Sequence, residues 1–229
     1  MTQRGGAWAE AIVAPDRLVY ALPASIPPRI GALTEPLSCA VRILDRAGLR
    51  PGLTVSVIGA GPIGLMTAVL ARHGGAGMVI VSEVRPSRRA VARRMGLERV
   101  IDPATTDLHQ VVMESTGGRG VDLSIEAVGL EPALTEATRL VAPGGTVLWG
   151  GLAPAGLRVP LAPQDMFLRE YTLRTAWGGI LEFERTIRLE QVIDWSPMVE
   201  EVFSLDSVMD AVTCARTAAG GKVLLSMGG

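Results

Sequence analysis

Cysteine is scarce in this sequence: only Cys39 and Cys214 occur among 229 residues. Two are too few for a disulfide scaffold or a cysteine-rich zinc knuckle, and the expected compartment is a reducing cytoplasm. An excess of one charge is also missing. With 22 Lys and Arg against 23 Asp and Glu, the formal net charge is −1, which lacks the footprint of a nucleic-acid or anionic-membrane binder. The first 17 residues hold no apolar stretch long enough for a signal-peptide core, so secretion is not expected. The run from Pro51 to Ala71 carries no charge and approaches the length of a spanning helix. Gly59, Gly61, Pro62 and Gly64 interrupt it, and a strand, a tight turn and a new helix fit it better. What is present is 48% hydrophobic and 20% charged, which excludes disorder. Its 27 Gly and 15 Pro imply many tight connections, as in an α/β protein. Lys222 stands alone against 21 arginines, which suggests a GC-rich bacterial source.

From Leu53 onward, short β-branched runs alternate with longer amphipathic stretches, the pattern of a parallel sheet with crossover helices. Strands are expected at Thr54 to Ile58, Met78 to Ser82, Arg99 to Ile101, Asp122 to Ala127, Thr146 to Trp149 and Thr172 to Ala176. Helices are expected at Pro62 to His73, Ser87 to Met95, Asp107 to Ser115, Pro132 to Leu140 and Leu181 to Ile193. Six strands with helical crossovers predict a doubly wound α/β fold. The ends break this rhythm. Ala7 to Val13 and Arg17 to Leu22 read as two short strands around Pro15, ahead of an apolar helix from Pro36 to Ala47. Towards the C-terminus, Phe203 marks a strand tip. Asp206 caps a helix to about Thr217, and Gly220 and Gly221 stop it before a strand from Val223 to Ser226. Both ends read as pieces of a second domain.

The strongest chemical signal is VIGAGPIG, where Gly59, Gly61 and Gly64 form G-x-G-x-x-G after a strand and at the opening of a helix. The first glycine permits the turn, the second lets backbone approach a pyrophosphate, and the third lets helix pack on strand. Glu83 ends the second strand at about the distance expected for an acid that accepts hydrogen bonds from an adenosine ribose. There it opposes a 2′-phosphate, which favours NAD over NADP. Arg85, Arg88, Arg89, Arg93 and Arg94 follow. Most of them read as a solvated helix face, with one free to cover the adenine or reach a phosphate.

With these motifs in order, GAWAEAIVAP, EPLSCAVRIL, VIGAGPIGLMTAVLARHGGA, GGRGVDLSIEAVG and PGGTVLWGGL, the chain resembles the medium-chain dehydrogenases. It is most similar to their sorbitol and threonine dehydrogenase branch. The resemblance implies a Rossmann domain over 36–195, flanked by remnants of a GroES-like catalytic domain at 1–35 and 196–229. It further implies hydride transfer between a secondary alcohol or polyol and NAD. Carried over, Pro62, Ile63 and Gly64 lie against the pyrophosphate, Glu83 takes the ribose and Arg88 is the basic residue beside it. Ala127, Val128 and Gly129, then Trp149 and Gly150, then Ala176 and Trp177, end three strands and face the nicotinamide half. For both tryptophans, aromatic core packing stays an open alternative.

The family's zinc-binding Cys and His-Glu pair have no counterpart in this sequence, and the expectation is a catalytically incomplete chain. Glu35 occupies the place of a later metal-site carboxylate. One oxygen ligand cannot hold a zinc that needs three protein ligands or more. Cys39 and Cys214 read as small core residues, and neither His73 nor His109 stands where a catalytic base is needed. A non-catalytic NAD-binding module and a zinc-free reductase are the alternatives, with a methyltransferase behind them. The expected assembly is a homo-oligomer, because in this family the sixth strand pairs with its copy across a twofold axis. Few charges in YTLRTA discourage that pairing.

Overall fold

The computed structural model describes residues 6–217 and 220–227. A single turn, α1 (Pro28–Gly31), leads into the amphipathic α2 (Thr34–Ala47), whose buried stripe includes Leu37, Val41 and Leu44. Gly48 ends α2 in the left-handed conformation (φ +78°). Strands and helices then alternate: β1 (Thr54–Ile58), α3 (Pro62–His73), β2 (Met78–Ser82), α4 (Pro86–Arg94), β3 (Arg99–Ile101), α5 (Leu108–Ser115) and β4 (Val121–Glu126). They continue as α6 (Glu131–Leu140), β5 (Val141–Trp149), α7 (Pro163–Arg169) and β6 (Thr172–Thr175). All six strands run parallel in the order β3-β2-β1-β4-β5-β6. This is the doubly wound order, which reverses direction between β1 and β4.

The sheet is apolar on both faces, as parallel sheets are. Val55, Val57, Val81 and Ile125 face α2 and α3 in one core. Ile80, Val121 and Val147 face α5 and α6 in the other. After α8 (Phe183–Glu190) the fully buried Trp195 and Met198 rejoin the first core. The chain then forms β7 (Val199–Ser204), α9 (Val208–Thr217) and β8 (Lys222–Ser226). β7 and β8 pair in parallel as a separate two-stranded sheet. No helix among the described residues is long and apolar enough to cross a membrane.

The central strands and α3 lie where the sequence predicts them. Elsewhere the structure departs from the expected elements. The strands expected at Ala7 to Val13 and Arg17 to Leu22 do not form: apart from a 3-10 turn at Asp16–Leu18, this segment has no regular structure. No strand among the described residues pairs with it, and an isolated strand is not stable in water. The helix expected over Leu181 to Ile193 reduces to α8, with a 3-10 turn ahead of it. Residues 163–169, where no element is expected from the sequence, form α7. In addition, β5 begins at Val141. It carries Pro143, Gly144 and Gly145 through a register shift against β4, with Gly144 at φ +71°.

Candidate functional site

The carboxyl ends of β1, β2 and β4 converge where the strand order reverses, the position at which open parallel sheets bind ligands. Gly59 turns the chain out of β1 at φ +94°, and its N–H donates to the Ser82 carbonyl at 2.8 Å. A β-carbon there would stand 2.5 Å from the Val128 side chain. Gly61 is the extended N-cap of α3, and Pro62 takes the first helical position. At Gly61 a β-carbon would meet only the Arg88 guanidinium, 3.6 Å away, so the backbone is open to a ligand. At Gly64 it would collide with the Gly59 carbonyl, because α3 packs directly on the turn. The first turn of α3 leaves the Ile63 and Gly64 N–H groups without helical partners at the positive end of the dipole. The Ile63 side chain itself packs against the first core.

Glu83 follows β2 and is buried. Its Oε2 accepts the Ala60 N–H at 2.9 Å, and its Oε1 accepts the Arg85 N–H at 2.9 Å. Arg88 Nη1 lies 3.6 Å from Oε2. The carboxylate thereby clamps the glycine turn to the end of β2 and keeps acceptor capacity on each oxygen. The neighbouring arginines are engaged elsewhere. Arg89 donates to the Glu83 and Val84 carbonyls and pairs with Asp102 at 2.8 Å, and Arg85 donates to the Thr217 carbonyl. Gly59, Gly61, Glu83, Arg85 and Arg88 line a cleft of about 830 Å³, together with Thr106, Asp107 and Arg139.

On the β4 side, the Ala127 N–H donates to the Ile58 carbonyl, Val128 is exposed at the cleft wall, and Gly129 adopts φ +81°. Beneath them lies Glu126, which has no exposed surface. Its Oε1 accepts the Val128 N–H at 2.5 Å and the Gly129 N–H at 2.7 Å. Its main-chain carbonyl accepts the N–H groups of Gly150 and Gly151. Burial pushes the Glu126 carboxyl up, and the Gly129, Val128 and Gly151 N–H groups pull against that shift. Sequence reasoning missed this residue, although an acid closing the apolar strand VDLSIE was a visible signal.

Not every expected residue joins the site. Trp149 turns towards α6: its indole N–H donates to the Leu134 carbonyl at 3.2 Å, and its ring packs against the second core. Gly150 sits at the end of β5 against Ile43 and the Glu126 carbonyl. Ala176 packs on the first core, while Trp177 is 90% exposed and is not among the residues that line the cleft.

A sequence profile of the zinc-binding dehydrogenases matches residues 62–196. The chain belongs to this family. Within it, L-threonine 3-dehydrogenase of Pyrococcus abyssi is 40% identical over 97% of the chain and 65% of its own length. L-idonate 5-dehydrogenase of Vitis vinifera is 32% identical over 97% of the chain and 62% of its own length. A Sinorhizobium meliloti structure described as a zinc-binding dehydrogenase bound to NADP superimposes with a TM-score of 0.83. It is 31% identical, over 90% of this chain and 61% of that one. This chain thus spans less than two thirds of each of these relatives. Family membership removes the methyltransferase reading.

For a zinc-binding dehydrogenase, the donor set for a metal is sparse. Glu35 lies exposed in the first turn of α2, and its carboxylate is approached by Cys39 Sγ at 3.8 Å. Burial, followed by the Glu35 charge, pushes the Cys39 thiol up, away from the thiolate a metal needs. Among the described residues, no group of three or more His, Cys, Asp or Glu side chains converges on one point. These residues do not fit a zinc ion.

Proposed function

We propose that the cleft between β2 and β4 binds NAD(H) and that the chain serves an oxidoreductase acting on a small secondary alcohol or polyol. The observation that carries this reading is Glu83, buried at the end of β2 and clamped to the glycine turn. A ribose diol at that carboxylate finds acceptors, whereas a 2′-phosphate meets a fixed negative charge. Arg85 and Arg89 are bonded elsewhere and Arg88 is paired with Glu83 itself, which supports NAD over NADP. A family relative holds NADP, so the preference assigned here rests on Glu83 and not on the fold. Gly61, Pro62, Ile63 and Gly64 receive the pyrophosphate, with Arg88 beside it, and the loops at 127–129 and 150–151 bound the nicotinamide half. Bound there, NAD supplies the hydride acceptor. The chain's residues hold it along the sheet edge and keep the two loops in register.

The division into 1–35, 36–195 and 196–229, a cytoplasmic bacterial setting and a homo-oligomer joined through β6 belong to the same proposal. So does the lack of a nucleic-acid or membrane partner. The sparse donor set around Glu35 favours a second reading, a cofactor-binding module without catalysis of its own. Fluorescence titration of NADH and NADPH tests the cofactor assignment. NADH is expected to bind more tightly, and Glu83→Ala to narrow the difference. Tighter binding of NADPH by the unmodified chain overturns it.

A further inference from the structure

The carboxylate of Glu126 lies outside every role assigned above. It is the last residue of β4, in register with Ile58 of β1 on one side and Trp149 of β5 on the other. It therefore sits between the strand end that carries the glycine turn and the one that carries Gly150 and Gly151. Side chain and main chain together receive four N–H groups from the two following loops: Val128 and Gly129 on Oε1, Gly150 and Gly151 on the carbonyl. Gly151 has no room for a side chain, since a β-carbon would lie 2.8 Å from Glu126 Oε2. The loops are thus folded around this one acid.

Its charge has no cationic partner among the described residues, and Oε2 has no hydrogen-bond partner at all. Both donors on Oε1 are backbone N–H groups, which bond an ionised carboxylate more strongly than a neutral acid. A proton on Oε2 would have no acceptor to bond, and the two donors on Oε1 favour the ionised form against the burial that pushes this carboxyl up. An anion in a low-dielectric setting, held only by backbone dipoles, acts on charges beyond its contacts.

Resting on the reading of this cleft as a dinucleotide site, we infer that Glu126 is a positioning residue for the nicotinamide half and sets the relative affinity for the two oxidation states of the cofactor. The oxidised ring carries one positive charge and the reduced ring none. A buried anion beneath the loops that bound this half therefore favours the oxidised form. The hydrogen bonds of Glu126 hold the loops for both forms, while its charge distinguishes between them.

The test is calorimetric titration of NAD+, NADH and ADP-ribose into the unmodified chain, Glu126→Gln and Glu126→Asp. ADP-ribose lacks the nicotinamide and reports the adenosine half alone. Glu126→Gln is expected to weaken NAD+ relative to NADH by about tenfold, equivalent to about 1.4 kcal/mol, with ADP-ribose within about twofold. Glu126→Asp keeps the charge and displaces the oxygens. It is expected to weaken NAD+ and NADH together with their ratio preserved, so the inference stays exposed even where the Gln variant does not fold. Equal weakening of all three ligands by Glu126→Gln, or an NAD+ to NADH ratio that it leaves unmoved, overturns the inference alone. Loss of the ratio in Glu126→Asp does the same. An unmodified chain that binds none of the three overturns the cofactor reading and this inference with it.

Discussion

At Gly64 the smallest possible side chain already has no place, because a β-carbon would strike the Gly59 carbonyl. Gly64→Ala must push α3 away from the turn, and overpacking of this kind costs about 1–3 kcal/mol. Urea unfolding should show that loss, and NADH titration should show weaker binding as the turn opens. Glu190 offers a test by pH. The Thr34 hydroxyl lies 3.0 Å from both Glu190 oxygens and 2.8 Å from the Gly31 carbonyl. One hydroxyl proton cannot serve both partners. With Glu190 protonated, its O–H donates to Thr34 and the Thr34 proton goes to Gly31. Burial pushes this carboxyl from its ordinary 4.5 up to about 7, with the Thr34 bond opposing. The folded chain then binds the proton more tightly than the unfolded one, so the contribution of Glu190 to stability is full below pH 4.5 and is lost as pH rises through about 7. The full effect is on the order of 3 kcal/mol at 1.36 kcal/mol per pH unit. Glu190→Gln should flatten the stability profile between these limits in denaturant titrations at stepped pH.

Among the elements, the join between α6 and β5 is made without a loop: Val141 is both the C-cap of α6 and the first residue of β5. The carbonyls left over at that junction are met from α7. Arg169 donates to the Thr138 and Val141 carbonyls, each at 2.8 Å, pairs with Asp165 and lies over the Tyr171 ring. Arg169→Ala should cost about 1–3 kcal/mol, the price of leaving half-buried acceptors without donors, as read by the thermal midpoint. Arg169→Lys should recover only part, since an ammonium does not reproduce the planar fork. This helix was also the one the sequence hid. Phe167 and Leu168 are adjacent and exposed, so no apolar stripe of helical period marks α7. By contrast, β1 and β2 were legible because β-branched runs bounded by turn residues are what a sheet buried on both faces demands. Ala7 to Val13 showed a similar local pattern without a neighbouring strand to complete it. The glycines and Glu83 were legible from spacing. Glu126 and the inward turn of Trp149 depend on contacts between strand ends that no local window contains.

For the whole molecule, the exposed apolar side chains bear on assembly. Trp8, Ile12 and Val13 are exposed near the N-terminus, while Val223 and Leu225 are half-covered. Trp177 and Leu181 stand out of the surface at 90% and 89% just beyond β6, whose outer edge pairs with no strand among the described residues. Surfaces of this kind recruit partners. Light scattering coupled to size exclusion should return a multiple of 24.1 kDa. A monomer across a wide concentration range would show that the edge stays unpaired. The strand order has a consequence of another kind, in the time course of folding. β1 lies beside β4, and Thr54 exchanges side-chain hydrogen bonds with Asp122 across 68 residues of chain. The β1–β2–β3 half closes through shorter loops and forms without that contact, whereas docking of β4 awaits a long-range encounter. Glu83 belongs to the early half and the 127–129 loop to the late one. A dinucleotide spanning both recognises only the docked chain, so adding it during refolding should draw half-assembled molecules forward by mass action.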